Sequence, residues 1–110
     1  MTGGDGLRLD KWLWFARLAK TRSLAARLCA AGHVSVGGAA ALKASQTVRV
    51  GDLVVVPQGP FIRTVRVLAL GRRRGPASEA QALYHEEQPP VRARDVAAAS
   101  DEAWTPLLEG

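Results

Sequence analysis

Lys20, Thr21, Arg22 and Ser23 stand in a row, two cations alternating with two hydroxyls, and Arg27 follows a little more than one helical turn beyond. Cations and hydroxyls at a helix start, where backbone N–H groups point outward, are the combination that holds a phosphate. Upstream, Arg8 and Lys11 are interleaved with Trp12, Trp14 and Phe15 in "RLDKWLWFARLAKTRS". That stretch admits three readings: a membrane-surface helix, a plain core helix, or a face that binds nucleic acid.

Groups for covalent or metal chemistry are scarce by comparison. His33 and His85 are distant in sequence and neither has a second ligand at metal spacing. Cys29 is the single cysteine, which excludes an internal disulfide and a cysteine zinc site, and it reads as a small buried hydrophobe. "GRRRGPAS" has glycines but no Lys-Ser/Thr where a phosphate loop needs it. "RLD", ending in Asp10, also surrounds the catalytic aspartate of pseudouridine synthases. Here it falls inside an amphipathic helix of a chain too short for a uridine pocket, so Asp10 is expected to be structural, pairing with a nearby arginine. No catalytic residue, cofactor or metal is expected.

Charge is unevenly distributed. Up to Gly75 thirteen Lys/Arg face three aspartates, a net of +10; from Pro76 two arginines face seven carboxylates, a net of −5; together they give the chain's +5. Ten excess positive charges on about seventy-five residues repel one another unless a polyanion lies against them. At 110 residues, 47% hydrophobic and 23% charged, the composition fits one small globular domain. No apolar run approaches the roughly 18 residues of a membrane span, and "MTGGDGLRLD" lacks the order of a signal peptide, so a cytoplasmic location is expected.

These side chains need elements to position them. Leu9, Trp12, Leu13 and Ala16 form one stripe of an amphipathic helix from Leu7 to about Ala19. Trp12 is therefore expected in the core, whereas Phe15 falls beside Arg8 and Lys11 on another flank. Trp14 lies on the far side, to pack against a later helix or to offer a stacking surface. Thr21 caps a second helix, Arg22 to Ala31, that Gly32 stops. Short strands follow: His33 to Val36 before a Gly-Gly turn, two β-branched runs about Gly51-Asp52, and Phe61 to Leu70. After the arginine triplet Arg72, Arg73, Arg74, a short helix is expected from Ser78 to about Glu86. The tail, Val91 to Gly110 with Trp104, is expected to be partly helical or loosely packed.

"RLDKWLWFARLAKTRSLAARLCAAGHVSVGG" followed by "VRVGDLVVV" resembles the S4 RNA-binding domain. "RTVRVLALGRRRGPASEAQALYHEE" narrows the likeness to the bacterial fifteen-kilodalton heat-shock protein group. The resemblance implies an α+β, S4-like (alpha-L) fold: two N-terminal helices on a small antiparallel sheet over residues 7–70, then a basic-then-acidic C-terminal helical extension over 71–110. It implies RNA contacts at Arg8, Lys11, Lys20, Thr21, Arg22, Ser23 and Arg27, with His33 and Lys43 at the edge and a secondary set at Phe15, Arg72, Arg73 and Arg74. Gly37 stands where the family has asparagine, which keeps the turn and drops its side-chain contacts.

The partners implied are rRNA and the large ribosomal subunit, with tRNA on stalled subunits and weak DNA binding allowed by the same charge. The expected role is to assist rescue or recycling of stalled subunits that carry nascent chain–tRNA, by a monomer that is not an enzyme. The alternative is an accessory module for a separate RNA-modifying enzyme. A membrane surface is disfavoured because Trp12 and Trp14 point apart.

Overall fold

The computed structural model describes Gly6 to Arg92. The element order is β1 (Leu7–Arg8), α1 (Leu9–Phe15), α2 (Arg22–Ala30), β2 (Ser35–Val36), β3 (Ala39–Ala40), β4 (Thr47–Val48), β5 (Leu53–Gln58), β6 (Phe61–Val67), α3 (Ala77–Gln81) and β7 (Tyr84–Arg92). β1 pairs with β4, and the other strands form an antiparallel sheet in the order β3-β2-β5-β6-β7. Helices packed on this sheet make an α+β domain.

The core follows the periodicities in the sequence. Leu9, Trp12, Leu13 and Ala16 are all buried, and the Trp12 indole N–H donates to the carbonyl of Ala69 at 2.9 Å. Val54 and Val56 on β5 and Val65 and Val67 on β6 alternate inward against them, as a half-buried sheet requires. Cys29 is fully buried on α2.

α1 ends four residues earlier than its apolar stripe suggests. Arg17 adopts a left-handed φ of 59°, Leu18 N–H donates to Leu13 O at 2.9 Å, and Arg17 N–H donates to Trp14 O at 3.1 Å. This is a Schellman cap with arginine where glycine is usual. The early stop turns Leu18 and Ala19 into the core, both nearly inaccessible. α2 closes in the same way, with Gly32 at φ 80° and His33 N–H donating to Leu28 O.

Two expectations are corrected beyond Gly71. The third helix is only Ala77–Gln81, and Tyr84 to Glu86, expected as its end, begin the nine-residue strand β7. β7 pairs with β6 from Val67↔Tyr84 to Phe61↔Arg92, with bulges near Thr64. Arg63 holds the two strands together: its guanidinium donates to both Glu86 oxygens, at 2.7 and 2.6 Å, with its charge 5.8 Å from the Tyr84 ring centre. The extension thus supplies a sheet strand, which a local helical pattern does not reveal. Trp104 and the rest of the tail beyond Arg92 lie outside the described residues.

Candidate nucleic-acid interface

The corner between α1 and α2 is the focus of the basic surface. Thr21 caps α2, its hydroxyl oxygen accepting the Leu24 N–H at 3.0 Å. Lys20, Arg22 and Ser23 are exposed around that start, and Arg27 is exposed in the last turn of the same helix. Asp10, one of the few carboxylates of the basic half, is buried at 3% exposure beneath them. Arg8 grips it with two bonds of 3.1 Å, and Arg22 approaches at 3.6 Å. Asp10 holds the Arg8 guanidinium above its usual pKa by hydrogen bonding and by charge. The expected pairing of Asp10 with a neighbouring arginine is thus found twice.

The loop carrying Lys43 joins the same end of the molecule, because Asp10 N–H donates to Ala44 O and Leu9 N–H to Gln46 O. His33 lies elsewhere. It follows the C-terminus of α2, about 15 Å along the helix from Thr21 at 1.5 Å per residue. Lys11 covers the ring of Phe15 at 5.7 Å. Phe15 itself is corrected: expected at an RNA-facing edge, it is buried at 4% exposure, close under Gly71 beside Leu83. Phe15 keeps its place on the helix beside Lys11, and the chain from Gly71 to Leu83 packs over that flank and covers it.

The arginine triplet divides into three roles. Arg72 is exposed and, among the described residues, makes no ion pair. Arg73 pairs with Glu79 at 2.9 Å, which holds the Glu79 carboxyl below its usual pKa. Arg74 reaches back to the helix corner, donating to the carbonyls of Trp14 and Lys20 and lying 5.7 Å from the Trp14 ring centre. Trp14 is half-buried against Phe15, their ring centres 5.9 Å apart. The later element that covers it is therefore an arginine rather than a helix.

Pairing sorts the cations by what they can offer a polyanion. Arg8, Arg22, Arg63, Arg66 and Arg73 already face carboxylates. Among the described residues Lys20, Arg27, Lys43 and Arg72 have no such partner. Arg17 and Arg74 donate only to neutral carbonyls, Arg17 to Gly75 O at 2.7 Å, so their charge is positioned but not neutralised. Arg17, absent from the residues expected at the site, thus joins Lys20 and Arg74 around the corner. One signal for it was in the sequence: Leu18 falls opposite Leu9 on a helical wheel, so an apolar helix face cannot run past residue 17.

No group of three or more His, Cys, Asp or Glu capable of holding a metal occurs among the described residues, and no described helix is long and apolar enough to cross a membrane. Burial pushes the Cys29 thiol up to about 11, with the charge of Asp10 adding to the effect, so it is a poor nucleophile at neutral pH.

A capped helix pair on a small antiparallel sheet, with uncompensated cations at the corner, defines the S4 class of domain. Residues 7–54 match the S4 domain family. Over 89 residues the chain is 43% identical to heat shock protein 15 of Escherichia coli K12, covering 81% of this chain and 66% of that protein, and 40% identical to the Haemophilus influenzae homologue. It spans about two thirds of the length of these relatives. The RQC P-site tRNA stabilizing factor of Listeria innocua is 33% identical over 84 residues, 74% of this chain and 90% of that one. The trimeric structure of Vibrio cholerae heat shock protein 15 superposes with a TM-score of 0.70 at 36% identity, over 94% of this chain and 99% of that one. The chain belongs to the S4-domain family, in its heat shock protein 15 group.

Proposed function

We propose that this protein binds structured RNA of the large ribosomal subunit and assists the rescue or recycling of stalled subunits that carry nascent chain–tRNA. The observation that carries the reading is the gathering of Arg17, Lys20 and Arg74 at the corner that leads into capped α2, with Arg27 exposed farther along the same helix and no carboxylate neutralising any of them. The names of the relatives support it, since one group is called for stabilising P-site tRNA. Recognition runs through phosphate and backbone shape rather than base edges, which suits A-form RNA. Residues 7–70 carry the RNA face, and the extension from residue 71 braces the helix corner and the outer edge of the sheet. The protein acts in the cytoplasm as a binder rather than an enzyme.

A salt series on the full chain tests this. With about five cations on phosphates, log K falls against log[salt] with a slope of about −3.5 to −4.5. Lys20→Ala or Arg27→Ala lowers affinity across unrelated RNA sequences and reduces the slope by about 0.7 to 0.9. A slope near zero overturns the reading. Crosslinking to ribosomes then places the contact, and crosslinks confined to small subunits would exclude the large-subunit assignment. Co-purification with an RNA-modifying enzyme instead of ribosomal subunits would favour the accessory-module alternative.

A further inference from the structure

Between the helix corner and the β5–β6 hairpin runs a groove of about 700 Å³ that phosphate binding at the α2 start does not fill. Leu24, Leu28 and Pro57 give it an apolar floor, and Arg17, Lys20 and Arg74 stand along its rim. No carboxylate lines it among the described residues. Its neutral polar side chain, Gln58, is already committed: Nε2 donates to Arg17 O at 3.2 Å, and Oε1 accepts from Arg63 at 2.6 Å. The groove therefore offers apolar contact and positive charge, and little with which to read the donors and acceptors of a base edge. A segment of apolar and acidic side chains fits that chemistry better than a nucleotide does.

Such a segment belongs to this chain. Gln58 and Gly59 wall the groove, and Phe61 of the same hairpin is the register partner of Arg92. The described chain thus leaves the sheet at the groove's edge. Residues 93–110 carry one arginine against four carboxylates, and "DEAWTPLLE", Asp101 to Glu109, places Trp104, Leu107 and Leu108 between acids. From Arg92 to Asp101 an extended chain reaches about 30 Å, ample for the distance across one hairpin end.

We propose that Asp101 to Glu109 docks in this groove, Trp104 and the two leucines on its apolar floor and the carboxylates against Arg17, Lys20 and Arg74. Because Lys20 also belongs to the RNA face, the docked segment and RNA compete; this consequence rests on the function proposed above.

The test uses the full chain with a nitroxide on Ser100→Cys; Cys29, buried and with its thiol pushed up to about 11, stays unlabelled at neutral pH. NMR signals of Leu24, Leu28 and Gly59 should lose intensity, and recover when Asp101→Asn, Glu102→Gln and Trp104→Ala are combined in the labelled chain. Loss spread evenly over the surface, or centred on another face, overturns the proposal. Loss between copies in a mixture of spin-labelled and isotope-labelled chains overturns its intrachain form and seats the segment in a second molecule. In RNA titrations the triple variant should bind about 5-fold tighter or more, and unchanged affinity overturns the competition. A parent chain with no RNA affinity but intact groove broadening sinks the RNA reading and leaves the docking standing.

Discussion

The Nε of Arg74 donates to the carbonyl oxygen of Trp14 at 3.1 Å, joining positions sixty residues apart, and a second donor of the same guanidinium reaches Lys20 O at 3.4 Å. The last arginine of a conspicuous cationic run is thus a strut across the turn between the helices. A hydrogen bond from a charged donor to a partly buried carbonyl, as at Trp14, contributes more than a neutral one, so Arg74→Ala should lower unfolding free energy by about 1 to 3 kcal/mol in urea denaturation. Arg72→Ala, which removes an exposed cation without a partner, should change stability by no more than about 0.5 kcal/mol. Equal losses in the two variants would contradict the strut.

Arg17 sits where a helix cap usually has glycine, at φ 59°, and a left-handed backbone costs a non-glycine residue about 1 kcal/mol or more. Its side chain offsets part of that cost by donating to Gly75 O at 2.7 Å. Arg17→Gly relieves the backbone and removes the bond and the charge together. Thermal unfolding should therefore shift little, while RNA affinity drops and the salt slope shrinks by about 0.7 to 0.9. A variant as tight as the parent would remove Arg17 from the binding surface.

Asp10 is a carboxylate buried between two surface arginines, and its charge offsets part of theirs. Asp10→Asn keeps the shape and drops the charge. Stability should fall by about 1 to 3 kcal/mol, since two guanidiniums lose an ionised acceptor. RNA binding should move the other way, tighter and with a steeper salt dependence, because Arg8 and Arg22 become available. Were Asp10 catalytic, the substitution would abolish a reaction without strengthening binding, which a uridine-modification assay alongside the titration distinguishes.

How far the sequence could be read depends on whether each element is decided locally. The stripe Leu9, Trp12, Leu13, Ala16 and the alternation Val54, Val56 report their own burial, and Thr21 and Gly32 mark both ends of α2 through local cap chemistry. β7 has no such signature. It is polar and exposed along most of its length and contains Pro89 and Pro90, while "SEAQAL" just before it favours helix. Its partners are distant in sequence: Arg63 with Glu86 and Arg66 with Glu87 close the ladder across more than twenty positions. The site divides in the same way. Lys20 is legible as a cation beside a cap, Arg27 by its spacing along the same helix and Arg74 as part of a cationic triplet, whereas Arg17 becomes a candidate only when the chain folds back from Gly75 to the corner.

The strand that the sequence concealed has an identifiable fastener. Arg63 is largely buried, with Glu86, Gln58 and Tyr84 as its hydrogen-bond partners. Hydrogen bonding to Glu86 raises its pKa further above the usual guanidinium value than burial lowers it. Arg63→Ala leaves the partly buried Glu86 carboxylate without its cation and should cost about 1 to 3 kcal/mol. Hydrogen exchange should then quicken first in β7, ahead of β5. Uniform quickening across the sheet would place the effect in the core rather than at this strand.

Cys29 supplies a pH dependence whose sign follows from its surroundings. Burial first, and the nearby charge of Asp10 second, raise the folded-state thiol from an ordinary 9.0 to about 11. The folded chain therefore resists ionisation that the unfolded chain accepts. This contribution is fully present below about 9 and is lost as pH rises through about 11. Other groups titrate in that range, so the comparison is with Cys29→Ala. The stability difference between parent and variant should be constant from neutral pH to about 9, narrow up to about 11, and then level off. Parallel pH curves for parent and variant would show that the thiol ionises as readily folded as unfolded. Alkylation gives a second check: at pH 8 the native thiol should react far more slowly than the same thiol in urea.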